Sequence, residues 1–254
     1  MKKINQPLKV LLLLISVLVV TTNHARAEEG DWEFNLAPFY LWAINISGDQ
    51  TIGPISAPVN VEFNDIFDNL DGAFIVHFEA AYQNRWGFLV DVNYLDLENK
   101  QSLANSLTRK VDLDITMAEL SGFRRWNLDQ HNLDVIVGGR YVRVANNISV
   151  LGGPELVDGA QDWIDPLVGG RWIWNFADDW AFVGRGDIGG FGVGSNFAWQ
   201  AAGILEWQPF KYVSFLAGYR AVGMDYEDGN QRSPDYFNFD ATVHGPVLGI
   251  NFKW

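Results

Sequence analysis

The chain has 254 residues, no cysteine, and 18 basic against 31 acidic side chains, a net charge of −13. The missing cysteines exclude disulfides and thiolate metal sites, and the acidic balance opposes nucleic-acid binding, which needs cations to neutralise phosphates. Trp (11) and Gly (25) are enriched, a composition suited to short, evenly spaced strands.

The N-terminus reads as an export signal. Lys2, Lys3 and Lys9 precede an apolar run from Val10 to Val20, and Ala25-Arg26-Ala27 supplies a small-x-small cleavage site. The run is 11 residues, too short to span a bilayer as a helix. Cleavage after Ala27 is expected, with residues 28–254 forming the mature domain. That segment carries 14 basic and 31 acidic residues, a net charge of −17, because residues 1–27 hold four bases and no acid.

Period-two alternation then dominates, the signature of strands with two chemically different faces. In the first strand Trp32, Phe34, Leu36, Pro38, Tyr40, Trp42, Ile44 and Ile46 share one parity. Residues 49–71 read as a loop, with a short hairpin around Val59 to Phe63 and a helical turn around Asn64 to Leu70. Strand two presents Phe74, Val76, Phe78, Ala80 and Tyr82, and strand three Trp86, Phe88, Val90, Val92 and Tyr94. In strand four the parity of Val111, Leu113, Ile115 and Met117 would make Glu119 face lipid, so a bulge near Met117 or Ala118 is expected to turn it inward. Strands five to nine alternate in the same way around Val135, Trp172, Phe182, Leu205 and Phe215, with 99–109 and 146–161 read as loops. In the closing strand Pro246, Leu248, Ile250, Phe252 and Trp254 alternate with Gly249, Asn251 and Lys253.

Short turns near residues 84, 129, 178 and 209 alternate with longer connections near 60, 104, 154 and 230. This is the rhythm of an up-and-down transmembrane barrel with tight periplasmic turns and larger outer loops. The fold expected is therefore all-β: a transmembrane antiparallel up-and-down β-barrel of 10 strands, with 8 or 12 as alternatives. Two aromatic interface belts are expected. Trp86, Trp126, Trp174, Trp180, Trp207 and Trp254 form the periplasmic one, and Trp42, Tyr94, Trp163, Trp199 and Tyr219 the outer one. Eight residues separate Trp86 from Tyr94, and Trp199 from Trp207, roughly 20 Å along tilted strands, close to the apolar band of such barrels. Pro38, Pro166 and Pro246 fall inside strands, where each removes a ladder donor.

The terminal Gly-Ile-Asn-Phe-Lys-Trp, the Trp163–Trp172 segment Trp-Ile-Asp-Pro-Leu-Val-Gly-Gly-Arg-Trp and the Asp187–Ser195 segment Asp-Ile-Gly-Gly-Phe-Gly-Val-Gly-Ser carry a resemblance. They resemble small bacterial outer-membrane β-barrel proteins, and within them a group with an aromatic closing strand. The resemblance implies a Gram-negative outer-membrane location, contact with lipid and lipopolysaccharide, and handling by the barrel assembly machinery. It implies no reaction.

With the apolar faces on lipid, the opposite faces line the lumen: His77, Glu79, Asp91, Glu119, Arg140, Asp165, Arg171, Arg185, Asp187, Gln200, Glu206 and Arg220. Both signs occur, so a salt-bridged interior is expected, since narrow barrels are packed by side chains. The function expected is a structural barrel or a narrow pore for small solutes, cationic ones given the acidic balance. Outer-membrane barrels include proteases and lipid-modifying enzymes, which makes a rim enzyme or a surface-interaction protein the alternative. His77 with Glu79, or His244, would then supply the base. No catalysis is expected, because no nucleophile motif accompanies them. No cofactor is expected, and no metal. Asp225, Glu227 and Asp228 are the nearest cation candidates but lack a calcium-loop spacing.

Overall fold

A computed structural model describes residues 31–63, 70–102, 108–150, 155–231, 233 and 236–254. The expected signal peptide and the helical turn of residues 64–69 lie outside them. The strands are β1 (Trp32–Trp42), β2 (Asn45–Ile52), β3 (Ile55–Val61), β4 (Leu70–Tyr82), β5 (Trp86–Ser102), β6 (Thr108–Leu128), β7 (His131–Val150), β8 (Glu155–Ala177), β9 (Trp180–Gly189), β10 (Phe197–Phe210), β11 (Val213–Asp228) and β12 (Phe237–Lys253).

β1 and β4 to β12 pair with their neighbours, all antiparallel, and β12 returns to β1, closing a ten-stranded barrel. β2 continues the line of β1 along the upper part of β12, and β3 folds back on β2. Within residues 49–71, expected as a loop with a short hairpin around Val59 to Phe63, the hairpin is this β2–β3 pair, which turns at Gly53-Pro54 and holds Val59 inside β3. Tight turns at Gln83-Asn84 and Asp129 use left-handed backbone, with φ of 49°, 46° and 53°.

Two segments expected as loops are strand instead. β6, β7 and β8 run for 21, 20 and 23 residues, about twice the ~9–11 that cross a bilayer. They take in much of 99–109 and 146–161. The reason lies in hydrophobic parity, which inverts along each strand. In lower β6 Leu120 faces out (62% exposed) while Glu119 and Ser121 are buried inside; higher up Ile115 and Met117 are the buried residues on that inner face. The registers of β6 with β5 and β7 run through this region without a shift. No bulge exists at Met117 or Ala118, correcting the expectation. Glu119 faces inward on an unbroken strand, and the environment outside the sheet changes instead. Lipid around the lower wall favours apolar side chains outside; water around the upper wall favours them inside.

The same inversion recurs at Ile164 and Trp163 on β8, at Tyr219 and Val222 on β11, and at Leu248 and Val243 on β12. Above that level Trp42, Ile44, Ile46, Met117, Val142, Val144, Trp163, Val222, Phe239 and Val243 belong to one interior cluster. Fully burying side chains of this size contributes about 1.5–3 kcal/mol each.

Pro38, Pro166 and Pro246 each sit where a ladder ends or breaks. Pro38 lies in the irregularity between Leu36 and Phe39 on β1. Pro166 lies just past the last β8–β9 rung, Leu167 with Gly189, and its carbonyl accepts the Gly190 amide at 3.1 Å. Pro246 faces the β1–β2 break, where its carbonyl accepts the Ala43 amide at 2.9 Å. A residue's N–H and C=O point to the same side of a strand, so the missing donors face gaps rather than rungs.

Two expected interface residues move inside. The Pro38 irregularity switches the parity of β1, so Trp42 turns inward and is 3% exposed. Trp163 shares the face of Asp165, is 5% exposed and stacks on Tyr226 at 3.9 Å. Trp86, Trp126, Trp174, Trp180, Trp207 and Trp254 are exposed near the short-turn end. Tyr94, Trp199 and Tyr219 lie on the outer face by strand alternation, opposite in parity to buried Asn93, Gln200 and Arg220.

Candidate functional site

Below the apolar cluster, the inward charges of β4 to β11 gather into a belt. Its first node is built on Arg171 of β8. Arg171 donates to Glu79 at 2.5 and 3.0 Å and to Asp134 at 2.8 Å. Arg125 of β6 grips the same Asp134 at 2.8 and 3.0 Å, reaches Glu79 at 3.4 Å and bonds Asn84 Oδ1 at 2.8 Å. Phe123 lies beneath both guanidiniums, 5.2 and 5.1 Å from its ring centre.

A second node joins Arg140 and Arg185 to Glu119 and Asp187. Arg140 lies 3.1 Å from Glu119 and 2.8 Å from Asp187, and Arg185 lies 2.5 and 3.0 Å from the same two acids. Gln200 links this node to a third by donating to Asp187 at 3.1 Å and accepting from Arg220 at 2.7 and 3.0 Å. Arg220 holds Asp91 at 2.9 Å and lies over the Trp42 ring at 4.8 Å. Most acids here are matched by an arginine, which is what makes buried charge tolerable in a low-dielectric interior.

Asp165 is the exception. It accepts from the Ser195 amide at 2.6 Å, the Ser195 hydroxyl at 2.9 Å and Trp163 Nε1 at 3.2 Å. This pins the 190–196 connection into the top of the barrel. Gly190 has φ of +84°, a backbone that favours glycine. A β-carbon on Gly194 would collide with the Ile164 carbonyl and with Asp165.

The expected inward residues therefore lie together inside the barrel, except that Glu206 sits lower, 2.6 Å from Lys253 and 2.5 Å from Ser214. Arg125 and Asp134 were absent from the expected set. Their parity was legible, since Arg125 follows Glu119, Ser121 and Phe123 at steps of two and Asp134 stands between apolar Leu133 and Val135. His77 bonds Asp91 at 3.2 Å, not Glu79, which the arginines hold. His244 is on the outer face, 2.6 Å from the Tyr219 hydroxyl. Glu227 and Asp228 are exposed, and among the described residues no group of His and acidic side chains is arranged to hold a metal ion.

A cavity of about 570 Å³ runs along the belt, whose Glu79, Asp91, Arg125, Arg171, Arg185 and Arg220 help to line it. Lys211, Tyr212, Asn175 and Trp254 stand at its short-turn end, and Tyr40, His77, Asp91, Arg185 and Arg220 at its inner end. Ile204, a member of the apolar cluster, also lines it.

No family model and no curated protein matches the sequence. Among solved structures, the chain is similar to the outer membrane protease OmpT from Escherichia coli, at 7% identity and a TM-score of 0.56, covering 89% of this chain and 98% of that one. It also aligns with Ail of Yersinia pestis at 9% identity and a TM-score of 0.40, covering 89% and 100% of the two chains. At these identities the likeness concerns fold alone. The fold is that of outer-membrane β-barrels.

Proposed function

We propose that this chain is an integral outer-membrane barrel of structural type, closed to through-flow, with a ligand-accessible cavity on its periplasmic side. One observation carries the reading: two closures stand in series within one lumen. The Arg–carboxylate belt bridges the inside of the membrane-embedded section, and the apolar cluster that includes Met117, Val142, Val144 and Phe239 packs the section above it. Permeation of small cations, suggested by the acidic balance, would require both to open, so the structural role is favoured over a pore.

The location follows from the outer surface. Leu120, Val137, Ile164 and Leu248 are 58–62% exposed, a cost in water and a gain in lipid. Lipid and lipopolysaccharide are the partners proposed for that face. The barrel assembly machinery is proposed to read the closing strand, whose Trp254 exchanges amide bonds of 2.9 and 3.1 Å with Phe34 to seal the barrel base. Liposome swelling with small sugars and amino acids tests the closed state. Liposomes holding the refolded chain are expected to swell no faster than empty ones, and swelling on a porin scale overturns the reading.

A further inference from the structure

Among the described residues, the ladder of the barrel wall is interrupted between β1 and β4. β1 pairs with β4 from Trp32 opposite Tyr82 up to Ala37 opposite His77, and above that rung the two strands part. β1 continues along β12, with Tyr40, Leu41 and Trp42 opposite Gly249, Leu248 and Val247. β4 continues upward paired with β5 alone, and β3 pairs with β2 alone. Among the described residues, no ladder joins β4 above His77 to β1, β2 or β3. Pro38, with no N–H to offer, stands where the separation starts.

The foot of this seam lies in the lipid-facing wall, since neighbouring Leu41 and Leu248 are 56% and 58% exposed on the outer surface. Unpaired backbone at that depth is tolerated only where it is covered or lines a cavity. A cavity does reach it. Tyr40 and His77, on the two strands that part, both line the inner end of the periplasm-facing cavity. Its walls are mixed: Phe34, Ile173, Val183, Ile204 and Leu216 stand beside the charged groups.

Among the residues lining the cavity, Arg185 Nε and Asn251 Oδ1 are buried without a hydrogen-bond partner. Arg185 and Arg220 on this wall suit an anionic head group, and the apolar side chains beside them an acyl chain. The cavity, at 570 Å³, holds about 19 water-sized groups at ~30 Å³ each. That is the size of one acyl chain with its head, not of a two-chain phospholipid.

We infer that the seam between β1 and β4 is a lateral portal, through which a single-chain amphiphile of the fatty-acid class moves between the outer leaflet and the periplasm-facing cavity. The route bypasses the apolar cluster above, so the amphiphile crosses the wall while the barrel stays closed to ions.

Photo-crosslinking of the full chain in proteoliposomes tests this, using a long-chain fatty acid that carries a diazirine and mapping adducts by mass spectrometry. The expected adducts fall on interior Tyr40, Trp42 or His77 as well as on outward Leu41 and Leu248. A phosphatidylcholine carrying the same diazirine is expected to mark the outer face alone. Fatty-acid adducts confined to the outer face overturn the portal, and interior adducts from the phospholipid overturn the single-chain assignment. Ile75, on the unpaired stretch of β4, packs against the interior cluster. In a folded Ile75→Trp protein, checked by heat-modifiable gel mobility, interior adducts are expected to fall to background while outer adducts persist. Undiminished interior adducts contradict entry through the seam. Should that variant not fold, the wild-type adduct map decides alone.

Discussion

Arg171 and Glu79 meet through both terminal guanidinium nitrogens, at 2.5 and 3.0 Å, although 92 positions separate them in sequence. The pair fastens β8 to β4 across the inside of the barrel, where strand pairing alone makes no link. Removing Glu79 leaves both Arg171 and Arg125 short of an acceptor. The Glu79→Ala protein is expected to lose about 3–5 kcal/mol of stability, the cost of stranding a buried charge. The double variant Glu79→Met, Arg171→Met is expected to recover most of that loss. Urea unfolding in detergent micelles, followed by heat-modifiable mobility, measures both. A single variant as stable as wild type contradicts the belt's role.

The Ser195–Asp165 contact makes a second prediction. Asp165→Ala removes the two hydrogen bonds from Ser195 that hold the 190–196 connection inside the rim, and a third from Trp163. External protease is expected to cut near exposed Phe191 faster in this variant than in wild type. Ser195→Ala, which loses the hydroxyl bond but keeps the amide bond, is expected to cost about 1 kcal/mol and to be cut at an intermediate rate. Equal cleavage rates in all three contradict the pinning.

Tryptophan placement is separable by quenching. In proteins retaining one Trp, with the rest replaced by Phe, brominated lipid is expected to quench Trp180 strongly and Trp163 hardly at all. Trp163 faces the interior and stacks on Tyr226, and Trp180 is 37% exposed on the outside. Comparable quenching of the two contradicts the inward assignment.

The interior cluster above the belt behaves as an ordinary core. Phe239, 2% exposed, is expected to cost about 3–5 kcal/mol when changed to Ala. Because the belt beneath is intact, that variant is expected to remain closed to ions. Chemical unfolding and conductance read on the same preparation check the two halves.

Much of this was legible in the sequence. Alternation and the spacing of short turns carry the strand count, and Glu79, Arg171 and Arg220 announce the lumen by departing from apolar faces, whereas Glu119 shares the parity of an apolar run and reads as inward only through a bulge that is absent. Their partners were not legible, since a period of two gives the face and not the neighbour across the barrel; hence His77 was matched to Glu79 when it bonds Asp91. The upper wall was misread for a physical reason. A strand leaving the membrane keeps its backbone register but inverts its hydrophobic sense, so Met117 and Glu119 share one face in two environments. A similar misreading on β1 arose because the irregularity at Pro38 turns Trp42 inward without any change of pattern in the residue types.

The central claim, a lumen closed twice over, is tested most directly by single-channel recording of the refolded full chain in a planar bilayer. The account predicts a baseline indistinguishable from bare lipid for wild type, and the appearance of steps when Phe239→Ala is combined with Arg140→Ala and Arg185→Ala to breach both closures. Steady ion-selective conductance from the wild-type chain would contradict it.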